Sequence, residues 1–423
     1  MSWDTQLELP ESISISASDS PSIDAFSRWR VSDPVTLFDN SQQYGDSTLV
    51  WETQLTGAGT KSNLYSESSV ELSTGDLLAG NKVVRQTRQY HRYQPGKSQL
   101  VLLTFVMNGG KTNNLQRRYG YFDQNDGIFF ELKDQTAKLT LRTSTSGAPS
   151  DLNSFDQLNW NIDRMDGNGI SGIDLDFSKA QILVIDLQWL GVGRVRVGWD
   201  VDGKIYWCHY FLNANRLTSV YMKSANLPIR MEIESTGVLQ NIGTMKHICT
   251  SVISEGGFED QRGIEFSVLR PAASPITVTT RRPVISIRAK TTGPNGIRNI
   301  GQILFKELDI MVGTNSGTFE LVLNPTTLTA GGVAPTWLDV DANFSITQYN
   351  LNADVIAGGI VINSGCIPAG AGSTRGITSG QSYRKFPLVY TGLLNVQDVL
   401  CVVATSVGGN CIVNANINFQ EFY

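Results

Sequence analysis

Charge is what this chain has least of. Only 17% of its 423 residues are Asp, Glu, Lys or Arg, against about 25% in an average soluble protein. The formal net charge is −5, and basic residues cluster only as short pairs such as Arg117-Arg118 and Arg281-Arg282. A phosphate backbone is held by clustered Lys and Arg, so no nucleic-acid partner is expected. Long apolar runs are missing too: none approaches the roughly eighteen residues that span a bilayer. The start, MSWDTQLELPESISISASDS, has neither the basic nor the apolar region of a secretion signal. The expectation is a soluble chain made in the cytoplasm, with no membrane insertion.

Cysteine and histidine are also scarce. The five cysteines, Cys208, Cys249, Cys366, Cys401 and Cys411, are odd in number, widely spaced and without a CxxC. Neither a disulfide framework nor a zinc site is indicated, and buried free thiols are expected. With only His91, His209 and His247 present, a nucleophile–base pair has few places to form, and no spacing signature supports one. No catalytic residue and no cofactor is assigned, and the chain is read as non-enzymatic.

What is abundant is β pattern. Residues 1–23 are rich in Ser, Asp and Pro without apolar periodicity and read as an arm. The next segment, DAFSRWRVSDPVTLFDNSQ, packs many apolar side chains into a stretch too short for its own core. Asp24, Phe26, Arg28, Trp29, Arg30, Leu37 and Phe38 are therefore the candidate anchoring or interface residues, docking on the following domain or on a partner. From about residue 46, strands alternate with polar turns. In VGWDVDGKIYWCHYF, Val195, Val197, Trp199 and Val201 alternate with polar or small residues, and Asp202-Gly203 suits a two-residue hairpin. Alternation then puts Ile205, Trp207, His209 and Phe211 on one face, with Tyr206 and Tyr210 opposite. RPAASP, at 270–275, reads as a boundary, after which Val/Ile-rich runs alternate with Gly/Asn/Thr turns.

The expected fold is all-β: two antiparallel sandwich or jelly-roll-like domains behind an extended N-terminal arm. The expected limits are 1–45 for arm and anchoring segment, 46–270 for a large lectin-like sandwich and 271–423 for a second sandwich.

Three motifs touch on chemistry. Gly96-Lys97-Ser98 and Gly110-Lys111-Thr112 imitate the end of a phosphate loop, but His91 and Phe105 stand where its first glycine belongs, so both read as hairpin turns. NIDRMDGNGISGIDLD gathers Asp163, Asp166, Asn168 and Asp174 in a glycine-rich loop, a weak calcium candidate that does not fit the EF-hand spacing. Tyr206, Tyr210 and Tyr221 are candidates for contact with a glycan or a sister subunit, because exposed aromatic rings stack on sugars and are enriched at interfaces.

DAFSRWRVS resembles the DAFGRLRVS-type segment near the N-terminus of virion proteins of tailed bacteriophages. The likeness extends through GNKVVRQTRQYHRYQPGKSQLVLLTFVMN, IDLQWLGVGRVRVGWDVDGKIYWCHYFLNAN and CTSVISEGGFEDQRG, covering roughly residues 20–265, and more loosely through ADVIAGGIVINSG. Ser27 and Trp29 depart from the usual Gly and Leu, which puts a tight turn there in doubt. The resemblance implies a structural component of a virion: a head or tail fibre, spike, neck or decoration protein whose partners are capsid, neck or tail proteins. By analogy with phage appendages it implies a homo-oligomer, with a trimer favoured. A lectin-like protein that recognises host surface glycans is the alternative.

Overall fold

A computed structural model describes residues 33–257, 263–313, 315–369, 374–378 and 386–423. The described chain is all-β, as its pattern predicts, in antiparallel sheets with no α-helix. Asp24, Phe26, Arg28, Trp29 and Arg30 lie outside the described residues.

The first sheet runs in spatial order β13 (Lys204–Phe211), β12 (Val195–Val201), β11 (Ala180–Leu187), β6 (Gln99–Val106), β15 (Thr244–Ser254), β4 (Ser69–Ser73) and β3 (Thr60–Leu64). β1 (Val35–Ser41) also pairs with β15, in line with β4. The second runs β10 (Ser150–Asp156), β9 (Thr136–Thr143), β8 (Gly127–Asp134), β7 (Thr112–Phe122), β14 (Ile229–Ser235), β5 (Lys82–Thr87) and β2 (Trp51–Thr56). Alternation in β6 sends Val101, Leu103 and Phe105 inward, where Phe105 meets Tyr119 of β7 edge-on at 4.6 Å.

The third sheet runs β16 (Ile264–Leu269), β28 (Cys411–Phe422), β19 (Gln302–Val312) and β26 (Thr374–Thr378), with β17 (Ile276–Val278) also on β28. The fourth runs β22 (Leu338–Asp339), β23 (Thr347–Asn350), β18 (Arg282–Ala289), β27 (Val399–Ser406), β20 (Gly317–Leu323) and β25 (Ile360–Ile367), and β21 (Thr327–Thr329) pairs with β24 (Val355–Ala357) apart from it. The core of this second pair of sheets is mostly Val, Ile and Leu.

Sheet membership thus changes between residues 254 and 264, ahead of RPAASP. β16 and β17 both lie along β28, and Arg270 N–H still donates to Ala415 O at 3.0 Å. Proline removes a ladder donor, so here it breaks one edge strand into two within a sheet. Leu37 and Phe38 sit in β1 and pack half-buried on the first core; the Phe38 ring is 4.7 Å from His91. Their apolar surface is engaged within the chain itself.

The Asp202-Gly203 turn joins β12 to β13 with φ of 55° and 80°, the left-handed pair that a tight hairpin needs. The Gly110-Lys111-Thr112 stretch is a crossing from the first sheet to the second, so its strands are not hairpin neighbours. Arg117, wholly buried, holds that crossing by donating to the carbonyls of Met107, Asn108 and Gly110. Cys208, Cys401 and Cys411 are buried free thiols, whereas Cys249 is half-buried and Cys366, on β25, is exposed.

The two sheet pairs meet through polar contacts. The Glu52 carboxylate on β2 accepts the N–H groups of Leu393 and Leu394 at 2.8 and 2.9 Å, Arg88 pairs with Asp398, and Gln302 Nε2 donates to Tyr90 O at 2.6 Å.

Candidate functional site

The return strand β13 does not keep the expected alternation. The register of β12 and β13 slips between Val197 and Gly198, so that Val197 faces His209 while Gly198 faces Trp207. Cys208 is the extra residue: a β-bulge that turns the strand by one position. Trp207 and Tyr210 therefore share the outer face, where Arg196 lies 4.4 Å over the Trp207 ring and Arg194 5.4 Å over the Tyr210 ring. Tyr206 moves to the other side and packs against the core, opposite Trp199.

Beside this edge the two sheets of the first pair part. β10 on one and β13 on the other, with the loop at 212–221, enclose a cleft of about 580 Å³, within the range of small-ligand sites. Tyr210 and Tyr221 both line it; Tyr206 does not. Tyr221 is buried and its hydroxyl donates to Gln188 O at 3.3 Å, so it forms wall, while Tyr210 is half-exposed. Burial also pushes the Tyr221 hydroxyl far above its ordinary pKa, keeping it neutral.

The polar lining divides into groups that build the cleft and groups that face it. Asn161 Nδ2 donates to Tyr210 O and Tyr210 N–H donates to Asn161 Oδ1, both at 2.9 Å. One side-chain amide thus occupies the edge of β13 as a strand would. Asn213 Nδ2 donates to Gly193 O at 2.8 Å. Beneath them His209 is buried between Phe155 and Phe211, and its Nδ1 accepts the Asn161 N–H at 3.2 Å. Burial lowers its pKa to about 4, so it is neutral at pH 7. Asn153, Ser219 and Arg216 also line the cleft, and Arg216 is exposed. No carboxylate is among the lining residues.

A second arrangement escaped the sequence reading. On the outer face of the seven-stranded sheet, opposite the core positions Tyr119 and Tyr121, charges alternate across neighbouring strands: Glu232 on β14, Arg118 on β7, Glu131 on β8. Arg118 donates to Glu131 at 2.7 Å and to Glu232 at 3.1 Å, and Arg230 Nε donates to Glu232 at 2.7 Å. Gln86 continues the network from Arg230 to Glu52. Glu232 is buried, which alone would raise its pKa, but Arg230, Lys82 and Arg118 outweigh this and hold it down to about 2. A carboxylate so firmly ionised is poorly suited to donate a proton.

Two of the calcium candidates, Asp163 and Asp166, hold their own loop. The Asp163 carboxylate accepts N–H groups from Met165 at 2.9 Å and Ser171 at 2.7 Å, and Asp166 caps Asn168 N–H at 3.0 Å. Among the described residues no three His, Cys, Asp or Glu side chains gather closely enough to hold a metal.

No family model matches the chain, and no curated protein matches it. Solved structures similar to it include a protein of unknown function from Shewanella oneidensis, at 9% identity over 53% of this chain and 88% of that one, TM-score 0.34. A legume lectin-like domain from Entamoeba histolytica is 11% identical over 48% of this chain and 89% of its own, TM-score 0.29. The Emp46p carbohydrate recognition domain is 9% identical over 53% and 97%, TM-score 0.32. Likenesses this weak carry no argument about what the chain binds.

Proposed function

We propose that the chain is a non-enzymatic structural component of a tailed-phage virion, a peripheral appendage that assembles with copies of itself and anchors to the particle. The observation that carries the reading is the ordered resemblance over roughly residues 20–265. The geometry adds a reason for the shape of that resemblance. β1, which follows the Asp24–Arg30 stretch in the sequence, is built into the first sheet. The lack of a carboxylate in the cleft lining and the arginine-bound state of Glu232 favour a non-catalytic role.

Deleting residues 1–32 while keeping β1 tests the anchoring role. Loss of incorporation into particles is expected, with the sandwich still folded; unchanged incorporation would sink it. A deletion through residue 42 is a poorer test, because it also strips Phe38 from its contacts with Trp51 and His91.

The cleft supports the second reading, a lectin-like recognition of host surface glycan. Amide and hydroxyl groups along one wall, with the half-exposed Tyr210 at the edge of β13, suit a sugar, whose rim takes hydrogen bonds. Tyr210→Ala should weaken binding to host polysaccharide, while Tyr206→Ala, outside the cleft, should not.

A further inference from the structure

Most arginines of the first sheet pair face a carboxylate: Arg85 faces Asp46, Arg118 faces Glu131 and Glu232, Arg142 faces Asp151, and Arg196 faces Asp186. Arg194 and Arg216 do not, among the described residues, and both are exposed at the same place. Arg216 lines the cleft; Arg194 covers a face of Tyr210, which also lines it. The chain as a whole is acidic, at −5, yet the only charge in the cleft lining is positive.

We propose that this cleft takes an anionic saccharide, one whose carboxylate or phosphate is held by the Arg216 guanidinium with Arg194 adding positive potential at the rim. The proposal rests on the glycan reading and names its ligand class. An arginine presents a planar fork of donors that matches a carboxylate or phosphate edge, and a lysine in its place supplies charge without the fork. The remaining lining fits the rest of a sugar: Asn153 and Ser219 offer hydrogen-bonding groups at the wall, and Tyr210 edges the cleft at the end of β13. Among the described residues the guanidinium has no carboxylate to give up, so binding an anion breaks no ion pair there.

The test is calorimetric titration of the full chain with three probes at low and high salt: a neutral glucan oligomer, an oligogalacturonate and a glycerol-phosphate oligomer. One or both anionic probes should bind more tightly than the glucan, weaken with salt, and lose about ten- to a hundredfold in affinity in Arg216→Gln. Arg216→Lys should retain part of the affinity. Which anionic probe binds separates a sugar acid from a phosphodiester. Equal binding of all three probes, or an unchanged affinity in Arg216→Gln, overturns the anionic ligand and leaves the glycan reading standing. Binding of none of the three overturns both.

Discussion

The two sheet pairs handle a buried carboxylate in opposite ways. In the first pair Glu232 is surrounded by Arg230, Arg118 and Lys82, and its pKa falls to about 2 although burial works against it. In the second, Glu421 accepts from the Ser345 hydroxyl at 2.6 Å, the Thr347 hydroxyl at 2.5 Å and Ile346 N–H at 2.9 Å. Burial outweighs these donors and the weaker pull of Lys290, and its pKa rises. The same contrast runs through the cores. Arg85, Arg117, His91 and His247 lie buried with Trp, Tyr and Phe in the first pair, whereas the second is largely aliphatic. Three cations around Glu232 outweigh its burial, whereas the donors around Glu421 do not outweigh its own.

The largest expected break in this comparison is Arg85→Leu. It takes the guanidinium from Asp46 and leaves Lys61 as the remaining partner, so the first sheet pair should lose about 3 kcal/mol, the lower end for a broken buried pair. Tryptophan fluorescence during denaturation reads this, since Trp51, Trp160, Trp189, Trp199 and Trp207 all lie there. Glu421→Gln should cost only about 1 kcal/mol, as the two hydroxyls keep an acceptor. Equal costs would erase the contrast.

Acid comes next. Burial lowers His209 to about 4 and His91 to about 3. Their unfolded forms take up protons first, so stability of the first pair should fall as pH drops from about 6.5 toward 4. Glu421 and Asp398 are raised, chiefly by burial. For them the folded state holds the proton more tightly, and their contribution is lost as pH rises. Calorimetric scans between pH 7 and 4.5 should show the first transition falling by the equivalent of a few kcal/mol, while the second moves little or upward. Parallel movement would count against the assignment.

A smaller effect is expected from Glu52→Ala, which removes the acceptor of Leu393 and Leu394 N–H. A loss of about 1–3 kcal/mol should loosen the contact between the pairs and move their transitions further apart. The most local is Gly203→Ala, at φ 80°: about 1–2 kcal/mol from the left-handed backbone, confined to the first transition.

These residues also mark what was legible in the sequence. The β12–β13 hairpin followed from alternation and Asp202-Gly203. The bulge did not, because in KIYWCHYF nearly every residue is apolar or aromatic, so sliding the pattern by one leaves no visible fault. Tyr210 was legible as a binding candidate, yet its companion Arg216 comes from an irregular loop with no period to follow. The Glu232–Arg118–Glu131 row stayed hidden because charged residues on alternate positions read as solvent-facing. Only the strand order brings each next to an opposite charge.

The placement of β28 bears on how the chain is made. Residues 411–422 form the strand between β16 and β19, whereas the first pair of sheets is complete once residue 254 has been synthesised. At about 5–20 residues per second, the nascent chain carries β16 and β19 without their shared neighbour for seconds to tens of seconds. During that interval their unpaired edges offer a template to any strand nearby, including one from another copy emerging on the same message.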